Sequence, residues 1–145
     1  MNARFAFPRR SSRLAAMTAI VLGVYSGFAV GEEVKVNLSG SQEVPAVTTS
    51  ASGTGAITVG ADRSVSGSVT TSGLVGTMAH IHEAPAGKNG PVIIPLTKSG
   101  NDGWTVPPGA KLTDAQYQAF KAGDLYVNVH SDQHKGGEIR AQLKP

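Results

Sequence analysis

The sequence predicts an all-β domain, a Greek-key or immunoglobulin-like β-sandwich or barrel of about seven to eight strands with one short inserted helix. Three observations predict it. Apolar residues, many of them β-branched, recur at every second position in short runs. Glycine, serine and threonine break the chain between those runs. One stretch alone carries the signals that start and stop a helix.

The chain has 145 residues, one domain's worth of protein. Its first 31 residues do not read as part of a fold. Arg4, Arg9, Arg10 and Arg13 give a basic start with no acidic residue before Glu32. Leu14 to Val30 then runs apolar, and Ala29-Val30-Gly31 places small residues at the minus-three and minus-one positions of a cleavage site. That order predicts a secretory signal peptide over 1–31, removed to leave a single domain over 32–145. Thr18, Gly23, Ser26 and Gly27 interrupt the apolar run, whereas spanning a bilayer takes about 20 mainly apolar residues. A periplasmic or secreted protein without a stable membrane anchor is expected.

Strands follow in order. Val34, Val36 and Leu38 alternate with polar neighbours, Ile57 and Val59 follow Gly53 and Gly55, and Val65 and Val69 flank Gly67. Met78–Glu83, Val92–Leu96, Leu125–His130 and Glu138–Leu143 complete the set. The frequent glycines suit bulges and tight corners. Residues 40–52 read as loop, with Pro45 and a Thr/Ser cluster. Thr113 with Gln116 three residues on is a capping box, Leu112 and Tyr117 occupy staple positions, and Gly123 is a natural stop. Trp104, near Pro107 and Pro108, reads as a rim or core anchor.

Composition excludes several functions. The leader holds four of the 13 Lys and Arg, leaving nine against ten Asp and Glu. The remaining chain is therefore near neutral, has no basic run, and gives no reason to expect a nucleic-acid partner. Absent cysteine excludes disulfides, thiolate metal sites and a lipid-modified cysteine. No serine sits in a nucleophile elbow, and Gly87-Lys88-Asn89-Gly90 lacks the spacing of a phosphate-binding loop. No glycosidase-like carboxylate pair is identifiable.

The four histidines fall in two short segments, Ala79-His80-Ile81-His82 and Asn128-Val129-His130-Ser131-Asp132-Gln133-His134. Residues two apart on a strand project to one side, so His80 and His82 point together, and so do Tyr126, Asn128 and His130. A histidine pair on a rigid strand can present two imidazoles to one ion. A third from a neighbouring strand would leave a coordination position open, as catalytic metal sites require. A His-X-His pair can equally sit on a wet sheet face or bond its neighbours. His80, His82 and His130 form the stronger trio, and His134 can lie near the site or in solvent. Imidazole ligation suits copper, zinc, iron or nickel and does not choose among them. Asn128 and Asp132 are candidates to orient an imidazole. Arg140 faces away from the apolar side of its strand and can steer an anion or pair with Glu138.

Several ordered motifs carry a family resemblance. Leu38-Ser39-Gly40-Ser41-Gln42-Glu43-Val44-Pro45, His80-Ile81-His82 with Gly90-Pro91-Val92, Tyr126-Val127-Asn128-Val129-His130 and Gly137-Glu138-Ile139-Arg140 resemble the CHRD domain, named for chordin and widespread in secreted microbial proteins. The resemblance spans nearly all of 34–143 and implies a β-sandwich. Ala84 and Ala141 stand where that family often has glycine. A weaker similarity links His80-Ile81-His82-Glu83 and Val129-His130 to the copper-ligand strands of copper–zinc superoxide dismutases, without their bridging-histidine segment or cysteines. The resulting expectation is a histidine-ligated copper or iron site acting on superoxide, with Arg140 steering the anion. The alternatives are a non-enzymatic adhesion or ligand-binding module, as chordin suggests, and a copper or zinc carrier without turnover.

Overall fold

Alternation along each strand decides which side is dry. In β1 (Glu32–Ser39), Val34, Val36 and Leu38 are buried while Glu33, Lys35 and Asn37 between them are exposed. The same two-residue period sets the inward faces of β2 (Ser52–Val59), β3 (Val65–Ser72) and β4 (Gly76–Glu83), where Ile57, Val69, Ala79 and Ile81 reach the core. β5 (Val92–Pro95), β6 (Thr97–Ser99) and β7 (Gly103–Thr105) are short. Helix α1 (Asp114–Ala122), the single α-helix among the described residues, leads into β8 (Leu125–Ser131) and β9 (Ile139–Leu143). This computed structural model describes residues 31–145; the expected leader, apart from Gly31, lies outside the described residues.

All strand pairs are antiparallel, in the order β5-β4-β8-β9-β1-β2-β3-β7-β6. The two ends of that order, β5 and β6, are joined in the chain by Leu96 alone. The backbone N–H of Leu96 donates to Ala79 O on β4, and Lys98 Nζ donates to Gly76 O. One bent segment therefore pairs with β4 through its first half and with β7 through its second. The sheet closes on itself into a nearly complete barrel, which removes most of its free edge. Seven of the nine strands are those read from the sequence, and β6 and β7 are the additions.

The barrel interior holds the core. Ile57, Ile81, Val127, Val129, Ile139 and Leu143 are fully enclosed, and Phe120 of α1 packs among them. Trp104 resolves to a core anchor: it is buried, with the Lys98 ammonium 5.3 Å from its ring centroid. The helix has the expected capping box between Thr113 and Gln116, and Gly123 ends it in the left-handed conformation. Among the described residues, no helix is long and apolar enough to cross a membrane.

β8 departs from simple alternation. All seven of its residues are buried, although only Leu125, Val127 and Val129 face the apolar interior with Ser131. Its outer face, Tyr126, Asn128 and His130, is dry as well. Two connections cover it: the segment 40–47, which starts with the 3₁₀ turn Gly40–Gln42, and the 84–91 loop between β4 and β5. Asn89 Nδ2 ties the second to the first by donating to Val44 O at 2.7 Å.

Candidate metal centre

The outer face of the β4–β8–β9 wall is polar and mostly sealed. Strand register builds it row by row. His80 pairs with Asn128 and Asn128 with Arg140; His82 pairs with Tyr126 and Tyr126 with Gln142; Met78 pairs with His130. Burying so many polar groups is costly unless each finds a partner. Most of them do.

His80, His82 and His130 converge. One ligand atom from each lies within 4.8 Å of the others. The Nδ1 of His82 faces Gly90 O at 2.9 Å, and the Nδ1 of His130 faces Lys135 O at 2.8 Å. Carbonyls only accept, so both Nδ1 atoms carry hydrogens, and the lone pair of each neutral ring sits on Nε2. His130 Nε2 then accepts from His80 Nδ1 at 3.0 Å. His82 Nε2 is buried and makes no hydrogen bond of normal length, although the Asn128 side chain lies close to the ring. Metal-ligating histidines typically donate their second nitrogen to a carbonyl or carboxylate, which fixes tautomer and orientation. Two of these three meet that condition, and one orphaned nitrogen already faces the cluster. The residues fit a metal ion.

Burial favours the neutral form of His80 and His82. Desolvation, then the neighbouring His130 and His82, pushes the His80 pKa down to about 4. His82 is also held below the usual imidazole range, chiefly by burial, with the Gly90 carbonyl opposing the shift. A ligand must be deprotonated, so both effects favour metal over proton.

A second layer supports the trio. The Tyr126 ring stacks on His82, with centroids 4.7 Å apart and planes 5° from parallel. β9 flanks β8 on the side opposite β4, and from there the Arg140 guanidinium sits 3.4 Å over the same tyrosine ring. Arg140 donates to Lys88 O, Asn89 Oδ1 and Gln142 Oε1, while Gln142 in turn donates to Ala84 O and Gly123 O. Tyr126 accepts from the Gly90 N–H, so the 84–91 loop is fastened from both sides. Glu43, from the 40–47 segment, lies near Asn128 and Arg140; burial raises its carboxyl from the ordinary range to about 7 against their opposing pull. Glu43 Oε1 and Asn128 Oδ1 are both buried without a partner. A proton on Glu43 turns one of two orphaned acceptors into a donor, the form its raised pKa favours. Gly137 lets these groups meet. Its φ is +128°, and a Cβ there would run into Glu43 Oε1 and Asn128 Nδ2.

The remaining candidate residues fall elsewhere. His134 is half-buried in the turn after β8 and does not belong to the trio; its backbone N–H donates to Ser131. Asp132 is exposed and lines a cavity of about 570 Å³ with Val75 and Glu138, so the Lys135 carbonyl, not Asp132, orients His130. Arg140 is 1% exposed, and Glu138 accepts instead from Thr49 Oγ1. Lys88 contributes its carbonyl to this layer. Neither Glu43 nor Tyr126 has a role that the sequence alone assigns. Tyr126 was findable as the third residue on the Asn128–His130 face, whereas nothing local to the loop-like 40–47 segment says which way Glu43 points.

A nearly closed antiparallel barrel with an imidazole cluster on its outer wall defines the class. Residues 34–143 match the CHRD domain, and the chain belongs to that family, which occurs in extracellular and secreted proteins. No curated protein and no solved structure matches the chain.

Proposed function

We propose that this is an exported protein that binds one transition-metal ion through His80, His82 and His130, and that with copper or iron bound it removes superoxide. The observation that supports this best is the tethering of two imidazoles through Nδ1 to backbone carbonyls, which aims both Nε2 lone pairs into one cluster. A bound copper or iron supplies the one-electron chemistry by which one superoxide is oxidised to dioxygen and another is reduced, with two protons, to hydrogen peroxide. The protein's own part is to hold His80 and His82 neutral, fix the ring planes and leave the His80 side accessible. Zinc binds such a site but does not cycle.

Arg140 contributes a fixed positive charge beneath the site. It has no hydrogen-bonded carboxylate partner, and burial makes Glu43, the acid that acts on it, easy to protonate. Its action on an anion is through the field, not by contact, because its surface is covered.

The test begins with metal content. Replacing any one of the three histidines with Ala is expected to cut loading severely and leave the β-sheet spectrum unchanged, with His134→Ala the mildest of the four. Full loading of the triple variant would show that the trio is not the site. Copper- or iron-replete, chelator-washed protein is then expected to dismutate superoxide above the background of free metal. Metal retention without turnover would instead identify a carrier, and absence of both a binding module of another kind. Export is checked by intact mass: the main species is expected to start near Glu32, and a membrane-embedded full-length product would refute it.

A further inference from the structure

β4 carries three side chains on its outer face, Met78, His80 and His82, while Ala79 and Ile81 between them enter the core. Met78 is 47% exposed. A scattered exposed apolar residue is ordinary; the position of this one is not. Its register partner across the β4–β8 pair is His130, and His80 is its next neighbour on the same face. Directly opposed side chains in an antiparallel pair start about 4.5–5.5 Å apart at Cβ. Met78 is thus adjacent to two members of the trio.

Three further observations point to the sulfur. The covering loops bond to the Tyr126 and Arg140 end of the face through Lys88, Asn89 and Gly90, leaving the Met78 end open. His80, the neighbour of Met78 along β4, is the one imidazole of the trio with no backbone tether at Nδ1, so one of the two rings beside Met78 can adjust. Finally, Met78 is the one sulfur-bearing residue of 31–145, because the chain has no cysteine and its other two methionines are Met1 and Met17. A long, unbranched thioether with three rotatable bonds can reach an ion that its neighbours hold.

Resting on the reading of the trio as a metal site, we infer that Met78 supplies a fourth donor and that the site selects copper in its reduced state. Imidazoles accept zinc, iron and copper alike, whereas a thioether is a soft donor that favours copper(I). Copper(II) prefers nitrogen and oxygen donors in tetragonal geometry and makes less use of the sulfur. The thioether therefore stabilises copper(I) over copper(II).

The experiment is an anaerobic titration of the protein with copper(I) against a chromophoric chelator, run in parallel with zinc, for the native chain and Met78→Leu. Copper K-edge absorption of the copper(I) forms reads the donor atoms directly. The expected result is a sulfur neighbour in the native protein that disappears in Met78→Leu. Copper(I) affinity falls at least roughly tenfold, while zinc affinity stays within about twofold, as loss of a soft donor predicts. Copper(I) bound at unchanged affinity without a sulfur neighbour overturns the assignment of Met78 and leaves the histidine site standing. An equal fall in zinc affinity also overturns it, since Met78 would then be acting through the fold. If the native chain binds no copper(I), or binds it after all three histidines are replaced by Ala, the metal site itself fails and this inference fails with it.

Discussion

An imidazole packed beside two others answers to them as well as to water. His80 is the extreme case, with its pKa down at about 4 through burial first and the two neighbouring rings second. In the metal-free protein its ring is expected to stay neutral at about pH 5.5, where an ordinary imidazole of pKa near 6.5 is mostly protonated. Nitrogen chemical shifts of the ring check this, and a midpoint near 6.5 would count against it. The sign for stability follows. Between the unfolded value near 6.5 and the folded value, the unfolded chain binds a proton that the folded chain refuses, so stability falls as the pH falls through that window. Glu43 works the other way. Its carboxyl is raised from 4.5 to about 7, so the folded protein keeps a proton that the unfolded chain has released, and stability falls as the pH rises through that range. Glu43→Gln keeps the neutral shape and removes the slope. Relative to the native chain, the variant is expected to be more stable at pH 8 than at pH 5 in urea denaturation, and the reverse order would refute the assignment.

At the level of elements, the sequence speaks clearly wherever one local rule suffices. Seven strands follow from two-residue alternation, and α1 follows from the Thr113–Gln116 box and the Gly123 stop, all found in place. The box predicts a cost: Thr113→Ala removes the acceptor for the Gln116 N–H and is expected to destabilise the fold by about 1 kcal/mol. Thr113 is exposed, so no cavity confuses the measurement, and a loss of only a few tenths in urea denaturation would show that the helix is held by its packing through Phe120, Tyr117 and Ala119 and not by the cap. β6 and β7 were not legible because neither has a period of its own. Thr97, Lys98 and Ser99 are all exposed, and only Trp104 of Gly103–Thr105 turns inward. Their conformation comes from closing the barrel: β6 pairs with β7, β7 with β3, and Gly76 of β4 lies against the Trp104 ring. Closure depends on residues far apart in the chain, which no window of sequence contains.

The same distinction holds for the whole molecule. That His80 and His82 share a face, and that Tyr126, Asn128 and His130 share another, is arithmetic on a strand. That these faces adjoin, and that their outer side is dry, depends on strand order and on two loops more than 35 residues apart in sequence that meet at Asn89 and Val44. A sequence shows the imidazoles but not the lid that desolvates them or the carbonyls of Gly90 and Lys135 that orient them. This wider architecture has a thermodynamic consequence. His82 Nε2 and its two neighbours are brought together only in the folded barrel, because β4 ends at Glu83 and β8 begins only at Leu125. On the proposed reading, metal binding at the trio is coupled to folding, and a ligand that binds only the folded state stabilises it by RT ln(1 + [L]/Kd). With free metal at about one hundred times Kd, the gain is about 2.7 kcal/mol. Zinc suits the measurement because it has no redox chemistry. The unfolding midpoint of the native chain is expected to rise steadily with the logarithm of zinc concentration above Kd. In the triple His→Ala chain it should not move. A zinc-dependent rise of equal size in both chains would place the stabilising ion elsewhere on the molecule, and no rise in either would mean that the folded cluster does not discriminate metal from water.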